Sequence, residues 1–391
     1  MGSLTPYGVT VNALRNGLNQ GVSALKYDEN LKFVVGAIGG ENFEERWSTG
    51  ERREMSRSSM AALVVAEEAL TNANAVDIDH TETMVNIGTC MSDLMHIGET
   101  AAKVNQNQAR KISPYFVPRI LNNLPAGYVA MKYKMKGDVE ATSTACATGL
   151  HCIGNAFRAV RHGYSRRAVA GAVECALNPI ALAGFDRMRA LAKGATPEIS
   201  RPFDKKRGGF VLSEGAGVLF IERFDDAKAR NASILAEIIG YGTSSDCHHI
   251  STPDPSAIGA ILSMRRAIQD ARIDVNDVEY VNAHATSTPT GDTVEAKAVR
   301  NVFEGQSIAV SSIKGHIGHL LGAAGSVETI ATVLAAVDGV LPQNLNLEES
   351  EDGDGIDLLK TTKPWTSSNR IAICNSFGFG ATNASLLIKR V

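Results

Sequence analysis

STACATGLHCIGNAF, residues 143–157, can be laid over SSIKGHIGHLLGAAG, residues 311–325, at an offset of 168. Further along, SEGAGVLFIER, ending at Arg223, resembles FGATNASLLIKR, ending at Arg390, at an offset of 167. Two matches at nearly one offset indicate a duplicated unit. The halves would meet near residue 232, giving units at 1–232 and 233–391.

Around these segments, strand-like apolar runs (RAVAGAVE, GVLFIER, ILAEIIGYG, EYVNAHAT, SIAVSSI, RIAICNSF) alternate with helical ones (SSMAALVVAEEALTNA, AIGAILSMRRAIQDARI, SVETIATVLAAV). Such alternation means α/β, and the nearly continuous apolar strands imply sheets covered by helices on both faces. With 391 residues, 44% hydrophobic and 21% charged, the chain can bury a large core. A net charge of −3 argues against a global commitment to nucleic acid or an anionic membrane. No apolar run approaches bilayer-spanning length, and MGSLTPYGVTVNAL lacks the plan of a signal peptide, so a soluble intracellular protein is expected. The six cysteines have neither C-x-x-C spacing nor the density of a disulfide scaffold.

Cys146 lies where a strand-like approach gives way to a small-residue helix that stops at Gly163. A thiol at a helix start is favoured as thiolate, which makes Cys146 a candidate nucleophile, whereas Cys152 lies within the helix. His284 follows VEYVNA, at the strand end where α/β proteins display functional groups. His319 precedes a run of small, apolar helical residues, so a helix N-terminus is expected to hold it neutral. His80, His96 and His162 read as loop or core residues. Lys314 sits in a setting too apolar and glycine-rich for a solvated face, which points to a buried, paired ammonium. NSFGFGATNASLL, from Asn375, can turn sharply, present an N–H to an oxyanion and swing an aromatic ring. No phosphate-binding glycine fingerprint or metal-ligand spacing is present.

Together, TACATG, NAHATSTPTGD, KGHIGHLLGAAG and NSFGFGATN resemble the elongating β-ketoacyl carrier-protein synthases over most of the chain. The resemblance implies a thiolase-like fold, two βαβαβαββ halves in five αβαβα layers, and a homodimer. It implies decarboxylative condensation of an acyl chain held on Cys146 with a malonyl thioester. His284 and His319 would be the decarboxylation pair, and Lys314 a charged organiser balanced by Glu328. The N–H groups of Cys146 and Phe379 would form the oxyanion hole, and Phe377, Gly378 and Phe379 the gate. Thr286 and Thr288 would line the pantetheine channel, and Met91 the floor of the acyl pocket. The partner would be an acyl carrier protein met by Arg53, Arg110, Lys111 and Arg189. No cofactor, metal, nucleic acid or membrane insertion is implied; the substrates carry phosphopantetheine.

Three departures stand out. Family members carry a strand before the G-x-x-T-P-x-G turn, and here Met1 stands directly before Gly2, so a core strand is expected to be missing. Ala381 replaces a commoner glycine, and His316 a small residue. A thiolase would use a second cysteine and no histidine pair, and an initiating synthase an asparagine where His319 stands. An inactive partner subunit would lack Cys146, and a Cys-His thioesterase would leave Lys314 and His319 without a role. ISPYFVPRILNNLPAG and HHISTPDP look most like mitochondrial members, so the mitochondrial matrix is expected, with bacterial cytoplasm as the alternative.

Overall fold

The computed structural model describes residues 1–391. Strands β1 (Gly2–Leu4), β2 (Thr83–Gly88), β3 (Val139–Glu140), β4 (Arg167–Glu174) and β5 (Gly215–Glu222) form one sheet in the order β1-β5-β4-β2-β3. Strands β6 (Ala236–Ser245), β7 (Tyr280–Asn282), β8 (Ala309–Ser311), β9 (Asp357–Leu358), β10 (Ile371–Gly378) and β11 (Thr382–Arg390) form a second in the order β9-β8-β7-β10-β11-β6. Apart from β9 the two orders are the same permutation, so the duplication visible in the sequence is a duplication of topology.

Six principal helices cover these sheets: α1 (Arg57–Asn72), α2 (Leu124–Tyr133), α3 (Thr148–Arg161), α4 (Ile258–Ala271), α5 (Pro289–Val302) and α6 (Ala324–Asp338). α1 and α2 pack with the outer faces of Val85, Val169 and Val218, and α4 and α5 with Val281, Ile373 and Leu387. α3 and α6 lie between the sheets, where Leu150, Ile153, Val327 and Ile330 meet Ala170, Leu219, Cys374 and Leu386. The result is the five-layer arrangement.

Position explains composition. α6 is buried on nearly every side, so it cannot be amphipathic, and it stops at Gly339, whose φ of 70° is the left-handed C-cap that glycine adopts without strain. This corrects the membrane-length reading. Leu321–Asp338 is long and apolar enough to cross a bilayer, yet 89% of it is buried inside the protein.

The expectation that a core strand is missing needs one qualification: the first residues of the G-x-x-T-P-x-G stretch themselves form a short strand. β1 is present as three residues, paired antiparallel through Gly2↔Val218, Ser3↔Gly217 and Leu4↔Ala216. The constant offset also has a simpler origin than uniform halves. β4 and β10 begin at Arg167 and Ile371, 204 residues apart (371 − 167). A long excursion before β10 and another between β4 and β5 cancel, returning β5 and β11 to 167 (382 − 215).

Candidate active site

The first half supplies one loop from the carboxyl end of a strand, and the second half supplies two. In the first half the chain leaves β3 and turns before α3. Ala145 sits at φ 50°, and Thr148 ties the turn by accepting from the Thr144 N–H (2.9 Å) and donating to the Ala145 carbonyl (2.7 Å). That turn presents Cys146 just ahead of the helix. Strands β10 and β11 brace it: a Cβ added to Gly378 would lie 2.6 Å from the Thr144 carbonyl oxygen, and Thr382 Oγ1 donates to that oxygen at 3.2 Å.

In the second half His284 leaves β7. The carboxylate of Glu295, on the buried face of α5, accepts the N–H groups of His284 (2.9 Å) and Ala285 (2.6 Å), which fixes the strand exit. His319 follows the short helix Lys314–Ile317. Residues of the first half clamp it: its N–H donates to the Val211 carbonyl at 2.8 Å, and its carbonyl accepts from Ser213 at 3.0 Å.

These loops converge. His319 Nε2 lies 3.0 Å from Cys146 Sγ, and the two imidazoles meet edge to face with centroids 5.4 Å apart. Phe377 packs edge-on against His284 at 5.8 Å, and Phe210 against His319 at 5.3 Å. Nδ1 of both histidines has no partner in the protein, so no hydrogen bond fixes either tautomer, and each ring can present Nε2 as donor or acceptor.

Lys314 and Glu328 form an ion pair with both side chains essentially buried. Burial, reinforced by the Lys314 charge, holds His319 well below the ordinary imidazole range. The same two causes act on His284, with His319 adding to them. Burial and a nearby ammonium thus both act to keep the two rings neutral. At Cys146 the expectation is corrected. Burial pushes its thiol up to about 12, against a downward pull from Lys314, so the helix start does not by itself make a thiolate. The resting site holds a thiol beside a neutral imidazole that can take its proton.

Cys146, His284 and His319 line a cavity of about 370 Å³, together with Thr286, Thr288, Phe377, Gly378, Phe379 and Arg189. Thr286 and Thr288 share a hydrogen bond of 3.1 Å. The N–H groups of Cys146 and Phe379 are taken up by no other protein group. Phe377 and Gly378 belong to β10, paired with Asn383 and Thr382, so the turn proper is Phe379–Ala381. The Ile250 and Ala381 carbonyls accept from Gly380 (2.7 Å) and Asp246 (3.1 Å), tying that turn to the facing loop.

Met91 is not on the cavity wall; it packs in the apolar cluster that holds Cys146, Leu182 and Phe185. Arg53, Arg110 and Lys111 are exposed on the helix Thr49–Glu54 and the turn Ala109–Lys111, and only Arg189 of the basic set reaches the cavity. His316 faces away from the site, bonded to the Tyr7 hydroxyl and the Gln343 carbonyl. Phe210 and Glu295 were not singled out from the sequence. Glu295 had a signal: Asp292 and Glu295 are three apart on one face of a helix, and both are buried carboxylates. Phe210 had none, because only the fold brings it to His319.

A thiol on a strand-to-helix turn, two neutral imidazoles from the opposite half and a buried ammonium between duplicated layers define a thiolase-fold condensing enzyme. The comparisons agree. The models for the β-ketoacyl synthase N-terminal and C-terminal domains match residues 1–227 and 235–348, and the chain belongs to the β-ketoacyl synthase family. It is 43% identical over 340 residues to the mitochondrial 3-oxoacyl-[acyl-carrier-protein] synthase of Arabidopsis thaliana, covering 84% of this chain and 74% of the relative. It is 39% identical to 3-oxoacyl-[acyl-carrier-protein] synthase 2 of Vibrio harveyi, covering 100% of this chain and 97% of the relative. A β-ketoacyl synthase from Burkholderia phymatum superposes with a TM-score of 0.91 at 29% identity, covering 100% and 98% of the two chains. A type II polyketide ketosynthase, solved with its acyl-carrier protein and bound to a hexaketide, gives 0.90 at 27%, covering 100% and 98%. The chain is an acyl-transferring condensing enzyme of fatty acid synthesis.

Proposed function

We propose that the chain elongates acyl chains carried on an acyl carrier protein, with Cys146 as acceptor and His284 and His319 serving the malonyl half-reaction. The observation that carries this is the 3.0 Å contact between Cys146 Sγ and His319 Nε2, with His284 edge-on to His319, in a cavity that holds all three.

Sulfur attacks the acyl thioester carbonyl, its proton passing to His319. The N–H groups of Cys146 and Phe379 face the tetrahedral oxyanion, and the pantetheine thiol departs with a proton. Malonyl thioester then enters past Thr286 and Thr288. Its carboxylate leaves as carbon dioxide, and Nε2–H donors on the two histidines stabilise the enolate oxygen. The enolate carbon attacks the acyl carbonyl on Cys146, the sulfur–acyl bond breaks, the departing Cys146 thiolate takes a proton from solvent to regain the resting thiol, and the 3-oxoacyl thioester is released. Two neutral imidazoles with no fixed tautomer suit both duties.

The carrier-protein partner is supported by the relatives' names and by the polyketide ketosynthase solved with its carrier. Arg189, exposed at the cavity mouth, gives an acidic carrier a first contact; Arg53, Arg110 and Lys111 would contribute beyond it. The exposed edge strand β3, with Val139 46% exposed, is where we place the second copy of a homodimer. The mitochondrial matrix is the compartment, supported by the mitochondrial names of the Arabidopsis thaliana and Schizosaccharomyces pombe relatives.

The test uses octanoyl carrier protein and mass spectrometry. Wild type should gain an octanoyl adduct on Cys146 and release it as 3-oxodecanoyl carrier protein when malonyl carrier protein is added. His319→Ala should acquire the adduct slowly and fail to release carbon dioxide. An adduct on Cys90 or Cys152, or condensation by His319→Ala at the wild-type rate, would overturn the assignment.

A further inference from the structure

Cys146, His284 and His319 offer more than the condensation uses. The sulfur and one ring nitrogen of each histidine all lie within 4.8 Å of one another. No motif in the chain announces such a set, because the three residues stand 138 (284 − 146) and 35 (319 − 284) positions apart. Only the meeting of the two halves makes one. A tetrahedral zinc ion holds sulfur at about 2.3 Å and imidazole nitrogen at about 2.0–2.1 Å, which sets its ligand atoms roughly 3.4–3.6 Å apart. Nε2 of His319 stands 3.0 Å from Cys146 Sγ. The cluster therefore brackets the spacing that a metal needs: that pair has to open by about half an ångström, and His284 to close in by at most about 1.4 Å.

The surroundings permit the adjustment and select the ion. His284 and His319 are 9% and 2% exposed, and Nδ1 of each ring has no protein partner, so beyond the contact with Cys146 either ring turns without breaking a protein hydrogen bond. Phe377 and Phe210, edge-on to the rings, set the limits of that turn. One thiolate and two imidazoles are borderline-soft donors with no carboxylate among them, a set that suits zinc and not magnesium or calcium. The three side chains line the cavity of about 370 Å³, so the fourth tetrahedral position faces open space. Lys314, whose charge reaches both rings, opposes a cation, but its ion pair with Glu328 offsets that charge, and a Cys146 thiolate cancels one of the metal's two. The rings also lack the carboxylate or carbonyl acceptors that orient most metal-ligating histidines, a shortfall that costs about 10–100-fold in affinity. Such a site releases its ion readily.

We propose that Cys146, His284 and His319 of the unacylated enzyme form a reversible inhibitory site for zinc, closed whenever Cys146 carries an acyl chain. On binding, the Cys146 thiol gives its proton to solvent and the sulfur shares an electron pair with the metal. An acyl group on that sulfur removes the donor, because a thioester sulfur is a poor ligand. Zinc and the incoming acyl group thus compete for one atom. The competition rests on Cys146 as the acyl acceptor, whereas the metal site rests on the geometry alone.

The probe is cobalt(II), which takes the place of zinc and reports its ligands by absorption. Titration of the free full-length enzyme should give a thiolate-to-cobalt charge-transfer band together with the intense d–d bands of a four-coordinate site. The charge-transfer band should vanish in Cys146→Ser and fail to form on octanoyl-loaded enzyme. His284→Ala and His319→Ala should each bind cobalt roughly tenfold or more weakly. Zinc should displace the cobalt, and at about ten times its dissociation constant it should slow octanoyl loading roughly tenfold, with full recovery on chelation. Cys247, His248 and His249 lie exposed on one loop and are the rival source of sulfur and nitrogen donors. Cys247→Ser combined with His248→Ala should leave the band unchanged. A band kept by Cys146→Ser, a band lost with Cys247, or zinc inhibition without a sulfur band would overturn the proposal. An octanoyl adduct on another cysteine, beside a cobalt band that needs Cys146, would support the metal site and overturn the acyl-acceptor reading and with it the competition.

Discussion

The Lys314–Glu328 pair offers a test in which stability and chemistry move differently. Lys314→Met removes an ammonium that is 1% exposed and leaves a carboxylate equally buried with no counter-charge. Breaking a buried pair from one side costs about 3–5 kcal/mol, while replacing both partners by apolar or neutral groups of similar volume is close to neutral. Glu328 is already raised by burial against the pull of Lys314, so it will take up a proton once the lysine is gone, which places the cost at the lower end of that range. Lys314→Met and Glu328→Gln should each lower the free energy of urea unfolding by about 3 kcal/mol, and the double variant should recover at least 2 kcal/mol of the summed loss. Acyl transfer should follow the charges on Cys146. Lys314 lowers the thiol and Glu328 raises it; because Glu328 is neutral once the lysine is gone, the lysine variant and the double variant should both move the thiol away from thiolate, and Glu328→Gln alone towards it. Each unit of upward shift removes tenfold of thiolate but returns nucleophilicity with a Brønsted slope near 0.4–0.5, a net loss of roughly three- to fourfold at fixed pH. The assay is single-turnover loading of octanoyl carrier protein on folded protein, from pH 6 to 9, beside the urea titrations. Additive destabilisation in the double variant, or loading indifferent to Lys314, would refute the coupling.

Three further outcomes are expected. Gly378→Ala puts a Cβ 2.6 Å from the Thr144 carbonyl oxygen and 3.1 Å from the Ala147 nitrogen, so it should displace the Cys146 turn and cut octanoyl loading at least tenfold while circular dichroism is preserved. Met91→Phe overpacks the cluster that holds Cys146, Leu182 and Phe185, and should lower Cys146 loading by roughly tenfold on short and long primers alike; a loss confined to eight-carbon and longer primers would contradict the packing role and make Met91 a boundary of the acyl chain. His316 is held down to about 4 by burial, so between pH 6.5 and 4 the unfolded chain binds the extra proton, and stability falls with acid by up to about 3 kcal/mol from this ring alone. His316→Gln should flatten that limb of the urea midpoint against pH, and an unaltered slope would contradict the buried neutral ring.

How much of this was legible in the sequence depended on whether a property is local. The turn before α3 announces itself through its small residues and the helix that follows, and the end of β7 through VEYVNA running into a Gly- and Thr-rich loop. Cys146 and His284 could therefore be placed on the correct kind of loop from their neighbours in the chain. That His319 would meet Cys146 rested on the resemblance. The contact spans 173 residues and is enforced by Val211 and Ser213, which are themselves more than a hundred residues from His319 in the chain.

Ionisation was the least legible property, for the same reason. A helix start argues for thiolate at Cys146 and for a neutral His319, and burial works with it at His319 and against it at Cys146. The dipole of a helix end contributes on the order of 1 kcal/mol, less than one pKa unit. Burial pushes the Cys146 thiol up to about 12 despite the pull of Lys314. The groups that produce it, Phe185, Leu212 and Leu321, come from three separate stretches of chain. Burial and the Lys314 charge act together on an imidazole, since both disfavour imidazolium, but they oppose each other on a thiol. One environment therefore holds both histidines neutral and leaves the cysteine protonated until a substrate arrives. Proton transfer from Cys146 to His319 across 3.0 Å then creates opposite charges at the two atoms that next face the thioester. The thiol need not ionise in the free enzyme for sulfur to attack.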